Sequence, residues 1–282
     1  MMRPEDIKAR IGNIDQIEAV VGAMRALAAA HELEATRHLE AIREQAATVS
    51  DAMARALSLL PGPPPSATAA QGDRPGRHLR IVVGAAQGFS GTYNEQIVTA
   101  ATDSTTGDPP DDYILIGVRS MSDLRNRGIT PVWSANMAAH AAEVPRLATH
   151  VADAAFARLA TGDTTRVSIV HGVPAHGSHR LKESALMPMD FSRIGPRHAS
   201  EAPLITLPPA ILLARLVEEY VYTEICEALM LGFAAENDAR LRAMSRARTN
   251  VARIARDLRT QFTQAMQEQT TTEILELSQN AP

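Results

Sequence analysis

A single cysteine, Cys226, occurs among 282 residues, which excludes an intramolecular disulfide framework and a CxxC metal or redox site. Aromatic residues amount to only 4% of the chain. Ala, Leu, Ile, Val and Met must therefore supply the buried area that Phe, Tyr and Trp usually provide, and this favours closely spaced helices over a thick globule. No run of residues approaches the ~20 apolar positions of a membrane-spanning helix. Glu5, Asp6 and Arg10 interrupt the N-terminal segment, so it does not read as a secretory signal. The net charge of −4 excludes a broadly cationic nucleic-acid-binding protein. A soluble chain is expected, one that would meet a membrane only through a partner.

Proline and glycine are also scarce at both ends. Between Pro4 and residue 60 there is no further proline, and the only glycines are Gly12 and Gly22. Pro4 suits the first turn of a helix, and Glu5 and Asp6 complement its N-terminus. Ile7, Ile11, Ile14, Ile17, Val21, Met24 and Ala28 recur at steps of three and four. After a polar stretch the pattern resumes with Ile42, Ala46, Val49, Met53, Ala56 and Leu60. Such a narrow apolar stripe is a coiled-coil seam on a helix of roughly 80 Å. From Pro209 to about Leu277 the chain again lacks proline, and Gly232 is the only glycine. Leu241, Met244, Val251, Ala255, Leu258, Phe262 and Ala265 keep heptad-like spacing, with Arg248 expected to break the seam. This second helix approaches ~100 Å. Two long seams at opposite ends of one chain pack most economically against each other, antiparallel because the chain returns through its middle.

The middle has a different texture. Pro61-Gly62-Pro63-Pro64-Pro65 ends the first helix and opens a linker over 61–78. Leu79–Val83, Tyr113–Val118 and Val167–Val170 read as buried strands. Helices are expected between them at about 91–102, 120–127 and 140–160, an alternation that predicts a largely parallel sheet. The segment holding His171, His176 and His179 reads as a surface turn because Gly172, Pro174 and Gly177 punctuate it. No metal is assigned there. Gly84-x-x-x-Gly88-x-x-Gly91 follows a strand but fits neither the P-loop nor the dinucleotide spacing, and no lysine is near. Its glycines are read as permitting a tight strand-to-helix turn. Cys226 lies on a helix with no neighbouring histidine and is read as a buried packing residue. No catalytic residue and no cofactor are assigned.

The expected fold class is α/β: a long antiparallel two-helix coiled coil from the N- and C-terminal segments, with a small Rossmann-like α/β domain inserted between them. The expected parts are an N-terminal helix over 1–60, the linker over 61–78, the α/β domain over 79–207 and a C-terminal helix over 208–282.

Three segments carry a family resemblance. Residues 7–31, above all Arg10-Ile11, Ile14, Ala23-Met24 and Ala28-Ala29-Ala30, resemble the N-terminal helix of ATP synthase gamma subunits. Gly88-Phe89-Ser90-Gly91-Thr92-Tyr93-Asn94 is similar to the family's Gly-Leu-Cys-Gly-Gly-Tyr-Asn segment. Ala228-Leu229, Glu236, Ala239-Arg240-Leu241, Ala243-Met244, Ala247 and Asn250, continuing through Gln267, Thr271, Glu273 and Glu276, resemble its final helix. The chain departs from the family where Ala19, Gly22 and His31 replace usual lysines, and where Ala85-Ala86-Gln87 replaces Ser-Asp-Arg. Met266 replaces an arginine, and Gln279-Asn280-Ala281-Pro282 replaces small C-terminal residues. A divergent member is implied, such as one from a second, specialised rotary ATPase. The lack of a cysteine pair argues against the thiol-regulated chloroplast variety.

The resemblance implies a non-catalytic central rotor stalk of an F-type ATP synthase, coupling ion-driven rotation to conformational change at the catalytic beta subunits. The implied partners are the alpha and beta subunits, the epsilon subunit and the membrane ring of c subunits, with no nucleic acid and no direct membrane insertion. The implied location is the cytoplasmic side of a bacterial cell membrane. Arg240, Arg242, Arg246, Arg248, Arg253, Arg256 and Arg259 face only Asp257 as an acid on their own stretch of helix, so a negative partner is expected for some of them. The family's acidic loop on the beta subunit points to Arg240, with Met24 and Arg25 opposite. Gln267, Thr271 and Glu273 are expected to meet the catalytic subunits further along. A coiled-coil adaptor unrelated to ATPases and an α/β enzyme with helical extensions are the competing readings.

Overall fold

A computed structural model describes residues 3–60, 76–103, 111–175, 178–191, 194 and 204–279. Helix α1 runs from Pro4 to Ser58. It is followed by β1 (Arg77–Val83), α2 (Tyr93–Thr102), β2 (Asp112–Ile116), α3 (Met121–Asn126) and β3 (Trp133–Ala135). Then come α4 (Val144–Ala160), β4 (Thr164–Ala175), β5 (Ser178–Met187) and α5, a single helix from Pro209 to Gln279. Its 71 residues correspond to about 105 Å of helix. Among the described residues, no helix is long and apolar enough to cross a membrane. The chain divides into two compact units, Ala30–Ala239 and Met1–Ala29 with Arg240–Pro282.

In the larger unit the five strands lie in the order β3-β2-β1-β4-β5. The first four run parallel and β5 is antiparallel to β4. This is the order of a doubly wound sheet whose direction of growth reverses between β1 and β4. Alternation along the strands decides what covers each face. Leu79, Ile81, Val83, Ile114, Ile116, Val167 and Ile169 form one core with α4 and with the segments of α1 and α5 in this unit. Val82, Tyr113, Leu115 and Val170 point the other way and pack on Ile97, Val98, Ala101 and Leu124 of α2 and α3. Helix α4 carries Pro145 in its first turn, and its buried Val144, Leu147, Ala148, Val151 and Ala155 recur at helical spacing.

Helices α1 and α5 also pair within this unit. Arg43 binds Glu227 at 2.8 Å, Gln45 donates to Glu219 at 2.9 Å, and Val49, Met53 and Leu57 pack in one cluster with Leu213. As α1 advances, its partner positions fall, so the pairing is antiparallel. Ala35 and Leu39 are buried, so the seam runs straight through the stretch expected to interrupt it.

The structure corrects several other expectations. Strand β1 opens at Arg77, inside the span expected as linker, and residues 61–75 lie outside the described residues. The second strand stops at Ile116, because Val118–Ser120 already turns into a short 3₁₀ helix. The supposed surface turn at 171–179 is largely a β-hairpin: His171 lies in β4, His179 in β5, and His176 is outside the described residues. Strand β3 answers to none of the strands that the sequence pattern predicts.

Candidate interaction surface

The smaller unit holds all six residues singled out for partner binding: Met24, Arg25, Arg240, Gln267, Thr271 and Glu273. Here too α1 and α5 run antiparallel. Asp15 pairs with Arg259 at 3.2 Å, while Arg3–Glu5 share a surface hollow with Ala265, Glu268 and Thr272. On α5 the seam is Met244, Ala247, Val251, Ala255, Leu258, Phe262 and Ala265. Arg248 is exposed, which corrects its expected seam position: Ala247 fills that place and the seam is unbroken. On α1 the four-and-three stepping from Ile7 through Ile11 and Ile14 reaches Glu18 and then Val21, so Ile17 turns outward at 46% exposure.

That outward turn creates a second apolar stripe. Ile17, Val20 and Leu27 are all exposed and share a face with half-buried Met24. Arg25, also half-buried, has a buried Nε without a hydrogen-bond partner among the described residues. The arginines of α5 divide into two groups. Arg240 is 6% exposed and engaged within its own chain. Arg246, Arg248, Arg253, Arg256 and Arg259 stand out to solvent, with Arg253 on Asp257 at 3.3 Å and Arg256 reaching back to the Ala252 carbonyl. Such exposed pairs contribute little to stability, so most of this positive charge is available to a partner. Gln267, Thr271 and Glu273 are exposed. The Thr271 hydroxyl donates to the Gln267 carbonyl at 2.8 Å, and Glu273 accepts from Gln269 at 2.9 Å.

In the larger unit, the place where a doubly wound sheet binds nucleotides is the crevice at the carboxyl ends of β1 and β4. Here α5 fills it. A Cβ on Gly232 would lie 2.5 Å from Val83 Cγ1, and one on Gly172 would lie 2.8 Å from the Ala235 Cβ, so both glycines are required by close approach. The buried Glu236 carboxylate accepts from the backbone N–H of Ala86 at 3.1 Å and of Gln87 at 3.0 Å. Loop N–H groups of this kind cradle phosphate in nucleotide-binding folds. In this chain they hold a carboxylate of its own. Tyr93, fully buried, donates its hydroxyl to the Gly232 carbonyl at 3.4 Å, and burial pushes its ionisation well above the usual range.

The histidines read as a turn behave differently from one another. His179 packs edge-on against Tyr93, with its Nε2 2.7 Å from Gln96 Oε1. His171 is 2% exposed, and among the described residues neither ring nitrogen has a hydrogen-bond partner. Burial, aided by the Lys182 charge, drives its pKa down to about 4. The Ile169 backbone, near but outside hydrogen-bond geometry, offsets this in part. Cys226 is buried, and burial raises its thiol to about 11, which leaves it unreactive.

Comparison with known proteins bears on both units. The family model for ATP synthase matches residues 3–281. An ATP synthase gamma chain from Chlorobium limicola is 24% identical over 281 residues, covering 97% of this chain and 96% of that one. One from Sulfurovum sp. is 34% identical over 119 residues, covering 41% of this chain and 40% of that protein. Among solved structures, the rotor of the Euglena gracilis mitochondrial ATP synthase aligns with a TM-score of 0.64 at 12% identity, covering 95% of this chain and 98% of its counterpart.

Proposed function

This chain belongs to the ATP synthase family as a divergent gamma chain, and on that premise we propose that it is the central rotor stalk of an F-type rotary ATPase. It performs no catalysis itself. Its task is to convey ion-driven rotation from a membrane sector to the catalytic beta subunits. The observation that carries this reading is the family match over residues 3–281, which takes in both long helices and the inserted sheet together. An unrelated adaptor would match over the helices alone, and an α/β enzyme over the sheet alone. The filled crevice at β1 and β4 speaks against nucleotide chemistry in the sheet.

The proposed partners are the alpha and beta subunits of the catalytic ring, the epsilon subunit and a ring of c subunits. Within the smaller unit, the proposed ring-facing residues are Met24, Arg25, Arg240, Gln267, Thr271 and Glu273. Met24 belongs to a face where Ile17, Val20 and Leu27 are already exposed. Arg240 would present a guanidinium oriented by its own chain to an acidic loop, flanked by the exposed arginines that follow it. The chain is peripheral, and its place at the cytoplasmic face of a bacterial membrane comes through the complex.

Reconstitution with the cognate alpha and beta subunits tests the proposal. A stable complex whose ATPase activity requires this chain is the expected result. Failure to co-purify, together with unchanged activity, would overturn it.

A further inference from the structure

We propose that His31, Glu34 and His140 form a binding site for a divalent transition metal of the zinc class. His31 and Glu34 stand three residues apart on α1, which places them on one helical face. His140 comes from the connection between β3 and α4. The potential ligand atoms of all three lie within 4.8 Å of one another. All three residues belong to the larger unit.

The surroundings hold these groups in place. The His31 ring meets the His140 ring edge-on with centroids 5.7 Å apart, and it leans on the buried Phe233 ring at 5.6 Å. Phe233 thus forms an apolar wall behind the cluster. His140 is fixed by its neighbours in sequence: Ala141 is fully buried, and the Ala139 N–H donates to Glu143 Oε2 at 3.1 Å. On α1, the buried Ala35 anchors the turn that carries both other ligands.

Zinc binds imidazole nitrogen and carboxylate oxygen at about 2.0–2.2 Å, so donors around a tetrahedral ion stand about 3.3 Å apart. Binding therefore requires side-chain rotation that draws the three donors, now within 4.8 Å of one another, closer together. Two imidazoles and one carboxylate select zinc, cobalt, nickel or copper over magnesium and calcium, which prefer all-oxygen shells. Three protein ligands leave a fourth position for water, and this cluster opens outward through the exposed His140. A bound ion would clip α1 to the β3–α4 connection and stabilise the larger unit by linkage, because the site is assembled only when both elements are in place.

The experiment uses the untagged, chelator-treated full chain. Zinc chloride is titrated calorimetrically, cobalt(II) is followed by its visible d–d absorption, and thermal unfolding is measured with and without zinc. One zinc per chain, a tetrahedral cobalt spectrum and a raised Tm are expected. His140→Ala and Glu34→Gln each alter a group near the surface, and the fluorescence of Trp133 verifies that their fold is intact. Each should weaken zinc binding by more than the ~10–100-fold that loss of an outer-shell contact costs, and should abolish the rise in Tm. Absence of binding at millimolar zinc would overturn the proposal, as would undiminished affinity in both variants, which would place the ion on other histidines.

Discussion

His171 makes the larger unit acid-sensitive in a way that can be isolated. In the unfolded chain this imidazole titrates near 6.5, whereas in the folded sheet burial holds its pKa at about 4. Between those values the unfolded state binds a proton that the folded state refuses. Stability is therefore fully present above pH 6.5 and is lost as pH falls toward 4. With those two values, the loss between pH 7 and pH 5 is about 2 kcal/mol, and the limit below pH 4 is about 3 kcal/mol. The perturbation is His171→Leu, which removes the titration. It removes little besides the titration, since both ring nitrogens lack hydrogen-bond partners among the described residues. Trp133 is the only tryptophan and lies on β3, so urea unfolding of the full chain followed by its fluorescence reports on this sheet. The wild-type midpoint should fall by about 1 M urea more than the variant's on going from pH 7 to pH 5. Other titrating groups are common to both proteins and cancel in that comparison. Equal displacement of the two midpoints would refute the reasoning.

Further expectations concern the anchoring of the sheet and the stalk. Glu236→Ala strands two loop N–H groups and should cost about 3 kcal/mol; Glu236→Gln, which keeps one acceptor, should cost less, and the same urea assay ranks them. Gly232→Ala drives a methyl group into Val83 and should destabilise by about 1–3 kcal/mol, read as a lowered Tm. Arg80 is buried between Asp111 at 2.7 Å and Glu183 at 3.1 Å. Arg80→Met should cost about 3 kcal/mol by leaving those carboxylates uncompensated, and a wild-type-like midpoint would show the network to be dispensable. In the complete complex, reconstituted into vesicles together with its membrane sector, Arg240→Glu should lower the ratio of ions moved to ATP turned over, with an unchanged circular dichroism spectrum of the isolated chain; an unaltered ratio removes Arg240 from the coupling surface.

Much of the fold is legible in the sequence because proline marks its boundaries. Pro4, Pro61 and Pro208-Pro209 bracket the two helices to within a few residues, and β-branched runs locate β1, β2 and β4. Strand β5 is not legible, because it is an edge strand with polar residues on both faces and so shows no clean alternation, and Gly172, Pro174 and Gly177 mimic a loop. Strand β3 has three residues, too few for a period. The seam errors share one cause. At residues 17–18 and 247–248, four-and-three stepping leads to the half-buried Glu18 and Ala247, whereas the apolar Ile17 and the charged Arg248 are exposed. Geometry overrides hydrophobicity at a single position when the register on either side is fixed. The His31, Glu34 and His140 cluster could not be seen at all. Only the His31–Glu34 spacing is local, and the third ligand is brought in by the fold.

The filled crevice explains how one doubly wound sheet can serve mechanics instead of binding. A nucleotide site at β1 and β4 needs an open cleft, free loop N–H groups and room for the ligand's bulk. Each requirement is cancelled by a residue of α5 or by a glycine that admits it. Gly232 lets the helix backbone approach Val83, Ala235 lies against Gly172, and Glu236 takes the Ala86 and Gln87 donors. These anchors fall within five consecutive residues, little more than one helical turn, and they combine close packing, a charged hydrogen bond and the Tyr93 hydroxyl. A helix joined to a sheet in this way resists both sliding along its axis and rotation about it, because each motion would strand a buried donor or force a clash. Ala and Gly at these positions are therefore not gaps in the core but the means by which the sheet grips the helix, and enlarging any of them should loosen the grip before it unfolds the sheet.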